Sequence, residues 1–270
     1  GSSFTTNVND NDIIGDISGD GNTIAFGTQG QNLKVYRWNG SDYIFESNVF
    51  NYANPKVHSV SLSDNGNIIA VTRTNERRTE VFRYNGSAWS SAEEIACGDT
   101  IGTTPNEVAL SSDGNKIAIG NPDDDLELFC VYAYDGSWNL TISVGGVKYG
   151  GSIDISDDGN TVAFAANGYA FVRVWKKASS CPISQHSSIC ESASWIQTNV
   201  HKYVDHAEFM GWKTRLNDAG DILSFSARTA HTGARISSPQ ASQDCPEPPT
   251  HALKSGCNQD GQVRVFDISP

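Results

Sequence analysis

Short runs of alternating apolar and polar residues cover most of this chain, and turns of Asp, Asn and Gly break them. One such break keeps returning. It reads Ser18-Gly19-Asp20-Gly21-Asn22 before Thr23-Ile24-Ala25-Phe26-Gly27, then Ser63-Asp64-Asn65-Gly66-Asn67 before Ile68-Ile69-Ala70-Val71. It returns as Ser112-Asp113-Gly114-Asn115 before Lys116-Ile117-Ala118-Ile119-Gly120, and as Asp157-Asp158-Gly159-Asn160 before Thr161-Val162-Ala163-Phe164. A worn fifth copy is Asn217-Asp218-Ala219-Gly220-Asp221 before Ile222-Leu223-Ser224-Phe225. The turn glycines Gly21, Gly66, Gly114, Gly159 and Gly220 lie 45, 48, 45 and 61 residues apart. Self-similarity at that period, made of short strands, predicts a β-propeller.

Each repeat parses into four strands, A to D. In the third, Glu107–Ser111 is strand A, Lys116–Gly120 strand B, Leu128–Tyr134 strand C and Trp138–Ile142 strand D. The strands are rich in Val, Ile, Phe, Tyr and Trp, which suit a pleated, half-buried surface. Gly or Asn-Gly at the turns supplies the positive φ of tight hairpins. Strand D opens on an aromatic at Tyr43, Trp89, Trp138 and Trp195, a slot that repetition assigns to packing between blades. The chain ends on a strand C, and Phe4-Thr5-Thr6-Asn7-Val8 resembles Ile196-Gln197-Thr198-Asn199-Val200, the strand D that leads into the fifth repeat. The expectation is an all-β, five-bladed β-propeller of four-stranded antiparallel blades, its ring closed by the N-terminal strand. It forms a single domain over residues 1–270, with Gly1-Ser2-Ser3 reading as a tag scar. Closure by that strand removes an aggregation-prone edge.

Composition narrows the partners. The net charge is -12, and no basic stripe appears, which excludes nucleic acid. No apolar run is long enough for a membrane helix, so no direct membrane insertion is expected. The six cysteines are placed for three bridges. Cys181–Cys190 staples an insertion at 178–194, Cys245–Cys257 staples another at 228–261, and Cys97 and Cys130 are left to pair. Such bridges imply an oxidising compartment, hence a secreted or cell-surface protein. Asn39, Asn85 and Asn139 each open a glycosylation sequon, although Asn-Gly at the first two is also plain hairpin chemistry.

The pattern Ser-x-Asp-Gly-Asn-x-Ile-Ala-x-Gly, followed by Val-Tyr-x-Trp/Tyr-Asn-Gly-Ser-x-Trp, resembles the FG-GAP/integrin-α-like propeller repeats of extracellular proteins. It is more loosely similar to WD40-like repeats. The resemblance spans nearly the whole chain and implies a cell-adhesion or ligand-binding glycoprotein. Integrin-type repeats often carry an Asp-x-Asp-x-Asp-Gly calcium loop. The corresponding loops here, among them Asn121-Pro122-Asp123-Asp124-Asp125, depart from it.

Candidate chemistry sorts by the two ends of a propeller. Loops entering strand A and joining B to C share one end, the top, which carries Tyr52, His58, Tyr149, Tyr203, His206 and Trp212. The long insertion adds Arg228, His231 and Arg235, a basic group suited to an acidic sugar or a partner carboxylate. Inside the channel, alternation along strand A aligns Asp16, Ser61, Ala109, Asp154 and Arg215. Two residues earlier it aligns Ile14, Ser59, Glu107, Ser152 and Lys213. Asp16, Glu107 and Asp154 are the candidate acid and base of a glycoside hydrolase, if about 5–10 Å apart. Lys213 and Arg215 among them equally suit internal neutralisation, since buried charges are paired. Asp123, Asp124 and Asp125 are candidate calcium ligands, with an ion-pair cluster against Arg77 and Arg78 as the plainer reading. His201, Asp205 and His206 lack the further ligands a zinc site needs.

The sequence therefore predicts an extracellular recognition module, not an enzyme and without a cofactor, that binds a glycan or an extracellular protein through its top-face loops. A glycoside hydrolase using the channel carboxylates is the alternative. A structural adhesion repeat of a larger protein is the third reading.

Overall fold

The structure, a computed structural model, describes residues 13–28, 32–52, 57–73, 78–97, 107–121, 128–144, 150–166, 171–178, 195–202, 209–228, 252–253 and 262–269. Among them every regular element is a strand, and the strands form five four-stranded antiparallel sheets. Sheet one contains β1 (Ile13–Ile17), β2 (Thr23–Thr28), β3 (Lys34–Trp38) and β4 (Tyr43–Asn48). Sheet two contains β5 (Val57–Leu62), β6 (Ile68–Arg73), β7 (Arg78–Arg83) and β8 (Glu93–Ile95). Sheet three contains β9 (Glu107–Leu110), β10 (Lys116–Asn121), β11 (Leu128–Tyr134) and β12 (Trp138–Val144). Sheet four contains β13 (Gly150–Ile155), β14 (Thr161–Ala166), β15 (Phe171–Lys177) and β16 (Trp195–Lys202). Sheet five contains β17 (Phe209–Leu216), β18 (Ile222–Arg228), β19 (Ala252–Leu253) and β20 (Gln262–Asp267).

Chain order and spatial order agree in sheets one to four, and in sheet five the order is β17-β18-β20-β19. This last arrangement differs from the sequence expectation. The outer slot assigned to Phe4–Val8 holds β19, with Ala252 opposite Phe266 and Leu253 opposite Val265. β19 is close to β20 in sequence, so this pairing needs no contact between distant ends of the chain. The insertion also begins later than expected, because Arg228 is still part of β18. Residues 4–8, Cys181, Cys190, Cys245 and Cys257 lie outside the described residues.

The repeated Ser-x-Asp-Gly-Asn stretch has one physical explanation in every sheet. The serine hydroxyl oxygen accepts the first backbone N–H of the second strand. Ser18 takes Thr23 at 2.9 Å, Ser63 takes Ile68 at 3.0 Å, Ser111 takes Lys116 at 2.9 Å and Ser156 takes Thr161 at 2.9 Å. In the worn copy Asn217 Oδ1 does the same for Ile222 at 2.8 Å. The Asp then accepts both that hydroxyl and the N–H of the following Asn, as Asp20 does for Ser18 and Asn22 at 2.6 and 2.9 Å. These are side-chain turns that satisfy buried backbone groups. The glycine between them sits in the left-handed region, where a side chain is strained. At Gly66, φ is +64° and a Cβ would meet Thr23 Oγ1 at 2.1 Å, so the glycine also permits close approach of the neighbouring sheet.

The turns form a belt at one end of the molecule. Backbone bonds run from Asp20 N to Asp64 O, Asp64 N to Ser112 O, Ser112 N to Asp157 O and Asp157 N to Asp218 O, all between 2.9 and 3.1 Å. Packing between sheets follows a second repeat. One face of each sheet carries a small cross-strand pair: Ala25–Val35, Ala70–Val81, Ala118–Val131 and Ala163–Val174, all buried. The opposite face carries larger residues, such as Ile69, Val71 and Phe82 in sheet two. Small face against large face fills each interface at close packing. Ala25 and Val35 of sheet one share a core with Val60, Leu62, Ile69 and Phe82 of sheet two. The Cys97–Cys130 disulfide ties the segment after β8 to β11 across the next interface, with Cα atoms 5.6 Å apart.

Candidate functional site

The innermost strands are β1, β5, β9, β13 and β17, each packed on the next. An inner strand leaves one edge of N–H groups without a strand partner, and buried N–H groups must be satisfied. Here the preceding sheet supplies the acceptor. Asp16 Oδ2 accepts the N–H of Leu62 at 2.8 Å, Ser61 Oγ that of Leu110 at 3.0 Å, and Asp154 Oδ2 that of Leu216 at 2.7 Å. One step toward the strand starts, Ser59 Oγ accepts from Val108 at 3.3 Å, Glu107 Oε2 from Ile153 at 3.1 Å and Ser152 Oγ from Thr214 at 3.0 Å. The inward positions aligned by alternation are thus a ladder of caps that staples each inner strand to the next.

Inside this ladder lies a cavity of about 530 Å³ whose lining includes Asp16, His58, Glu107, Asp154, Lys213 and Arg215. Lys213 Nζ forms an ion pair with Glu107 Oε1, bridging sheets five and three. Arg215 draws on both Asp154 and Asp16 through space. Burial pushes Asp154 up to about 6, against the pull of Arg215 and the N–H groups of Leu216 and Ile155. Burial also pushes Asp16 up, against the N–H groups of Leu62 and Ile17 and the charge of Arg215. At the turn end of the cavity, partial burial together with Asp218, Asp64 and Asp158 pushes Asp157 up. The arrangement offers a polar ligand both fixed acceptors and cationic donors.

The structure brings Asp16, Glu107, Asp154 and His58 to this cavity. It uses Tyr52 differently. Tyr52 stacks on Phe50 at 4.8 Å, carries the Arg73 guanidinium 4.1 Å above its ring, and directs its hydroxyl to Glu80 at 3.4 Å. Arg73 and Glu80 form a fully buried bidentate pair, both bonds 2.7 Å. Sequence reasoning missed this pair. Its signal is a lone cation in strand B, Arg73, where the other repeats carry Thr28, Asn121, Ala166 and Ala227, together with an acid in strand C, Glu80, where three of the other repeats carry Lys34, Arg173 and Arg264. Trp212 and Arg228 belong to β17 and β18, while Tyr149, Tyr203, His206, His231 and Arg235 lie outside the described residues. Asp123, Asp124, Asp125 and Arg77 also lie outside them, and Arg78 pairs with Glu94 of its own sheet. Among the described residues no His, Cys, Asp or Glu group is arranged to hold a metal ion.

The three sequon asparagines are exposed. Asn39 Oδ1 caps the N–H groups of Ser41 and Asp42 at 2.9 Å, and Asn85 Oδ1 caps those of Ser87 and Ala88 at 3.0 Å. Asn139 Nδ2 donates to Asp135 at 2.7 Å. At the first two, the hairpin chemistry expected of Asn-Gly is what the side chain performs.

No protein-family model matches the chain, and no curated protein matches it. Solved structures do. Hydrazine synthase of Kuenenia stuttgartiensis superposes with a TM-score of 0.59 at 15% identity, over 90% of this chain and 64% of that one. The β-propeller domain of Cps50 (Swd1) from Myceliophteria thermophila gives 0.53 at 9% identity, over 79% and 62%. A candidate 6-phosphogluconolactonase from Bacteroides uniformis gives 0.51 at 14% identity, over 70% and 56%. This chain spans 56 to 64% of the length of those proteins. At such identities the likeness shows the fold, an all-β propeller built of four-stranded antiparallel sheets.

Proposed function

We propose that this chain is a recognition module of a secreted or cell-surface protein, and that it binds a glycan or a protein side chain at the mouth of its central cavity. The observation that carries this reading is the state of the three channel carboxylates. Each already has an oxygen committed to a backbone N–H of the next sheet. A group held as a structural cap is poorly placed to trade protons through a reaction, yet the second oxygens of Asp16 and Asp154 remain fixed acceptors for a hydroxyl or an ammonium, while that of Glu107 is paired with Lys213. Lys213 and Arg215 add donors on the same wall. Of the top-face residues named from the sequence, His58 lines this cavity. The five sheets are read as the five blades of FG-GAP-like repeats, and the Cys97–Cys130 bridge supports an oxidising compartment.

One observation favours a second reading. Asp154, pushed up to about 6, beside the charge of Asp16, is the kind of carboxyl that serves as a general acid in glycoside hydrolysis. A glycan array probed with the purified chain, with and without calcium, tests the first reading. Binding of a defined glycan without calcium supports it. Release of free sugar from the bound glycan, abolished in Asp154→Asn, replaces it with the hydrolase. A blank array together with no pull-down of a cell-surface protein leaves the structural adhesion role.

A further inference from the structure

The interfaces between successive sheets share one design, and at the two ends of the stack that design is unfinished. On sheet one the described residues of the large face are more exposed than their equivalents in the other sheets. Ile17 is 52% exposed, where its equivalents Leu62, Leu110 and Ile155 are 7, 8 and 6% exposed. Phe45 is 49% and Trp38 40% exposed on the same face. Phe26 and Ile24 are only half-buried, whereas the residues equivalent to Ile24, namely Ile69, Ile117, Val162 and Leu223, are fully buried. The face is continuous, with Phe26 stacked on Tyr36 at 5.3 Å and Tyr36 edge-on to Phe45 at 5.4 Å. A contiguous apolar face of this kind marks an interaction surface.

Sheet five is the opposite end. Its small pair is Ser224–Val265, half-buried where each Ala–Val pair elsewhere is buried. Its two cap positions hold Lys213 and Arg215, which have no lone pair to offer the N–H groups of Gly15 and Ile17. Among the described residues β17 does not pack on β1 as the other inner strands pack on their neighbours. Sheet five is therefore the poorest match in the chain for the open face of sheet one.

We infer that the seam between sheets five and one receives a further four-stranded sheet of the same repeat, supplied by polypeptide outside these 270 residues. Its small face covers Ile17, Phe26, Phe45 and Trp38, as Ala25 and Val35 cover sheet two. Its inner strand offers Asp, Glu or Ser to the N–H groups of Gly15 and Ile17. The interface is continuous with those already built, and the solved propellers extend beyond the part this chain matches. A second copy related by a two-fold axis would bring a large face against a large face, a worse fit by volume, and a head-to-tail copy would offer only the half-buried Ser224–Val265 pair and the cations of sheet five.

Thiol labelling of Phe45→Cys tests this. It compares the 270-residue chain with a fusion carrying a second copy of residues 150–202 after Pro270, with light scattering to record mass. The expected result is rapid labelling in the monomeric chain and labelling about tenfold slower in the fusion, because a covered site reacts only through local opening. Slow labelling in the monomeric 270-residue chain overturns the inference in favour of direct closure of sheet five on sheet one. Slow labelling that appears only at doubled mass overturns it in favour of a second copy. A fusion whose β signal rises, yet whose thiol still reacts fast, also overturns it. A second measurement needs no fusion: binding of an apolar dye should fall in Ile17→Lys with Phe45→Lys, and an unchanged signal contradicts an open face.

Discussion

Asp154 of sheet four accepts the backbone N–H of Leu216 in sheet five at 2.7 Å, and this one bond shows how the molecule is assembled. A polar residue on the cavity wall is first a fastener between sheets. Replacing Asp154 with Ala removes the acceptor and leaves a partly buried N–H bare, which costs about 1–3 kcal/mol. Asp154→Asn keeps an oxygen in place and should cost far less. Urea unfolding of both variants checks the difference, and equal losses would refute the cap.

Asp154 also gives the protein a pH signature. Its folded pKa, about 6, lies above the ordinary carboxylate value, so between roughly pH 4 and 6 the folded state holds a proton that the unfolded state has lost. The stability contributed by this group is present at low pH and is lost as pH rises through that window. The turn carboxylates act the other way. Asp20, Asp113 and Asp158 lose a little to burial, but the hydrogen bonds of their turns hold them below the usual range, so their contribution is lost as pH falls. The comparison must therefore be differential. From pH 4 to 7 the wild type should lose stability relative to Asp154→Asn, and parallel melting curves for the two would contradict the assignment.

The buried pair of Arg73 and Glu80 predicts a large loss from a single change. Glu80→Ala strands a guanidinium that is 1% exposed, at a cost of about 3–5 kcal/mol. Tyr52 and Phe50, which flank the guanidinium, should become mobile in the same variant. Loss of melting temperature, with broadened Tyr52 and Phe50 ring signals by NMR, is the expected outcome.

Gly66 carries two demands at once, a left-handed φ and contact with Thr23 of the preceding sheet. Gly66→Ala should destabilise by more than the roughly 1–2 kcal/mol of the backbone term alone. Gly21 has a similar φ but open space around a Cβ, so Gly21→Ala should cost only the backbone term. Denaturant midpoints for the two variants separate the contributions.

These predictions also mark what the sequence made legible. β11 matches the expected strand C residue for residue, because Leu128–Tyr134 is an unbroken β-forming run between turn signals. Inward alternation correctly aligned Asp16, Ser61 and Asp154. It could not show that these side chains reach a neighbouring strand, since the stagger between sheets is set by packing and not by any one strand's pattern. β19 was illegible for a different reason. Ala252 and Leu253 stand in a stretch rich in Ser, Pro, Thr and Gln, and two residues give no period to read. Tyr52 looked like a free aromatic at a loop, and only the guanidinium of Arg73, distant in sequence, reveals its role in packing.

The most direct measurement is titration of an array-identified glycan into the wild type and into Lys213→Ala with Arg215→Ala, while free sugar release is monitored. The account predicts binding by the wild type without turnover, and affinity weakened by at least about tenfold in the double variant, since charged hydrogen bonds are lost. Turnover by the wild type, or full affinity in the double variant, would contradict a recognition site at the mouth of this channel.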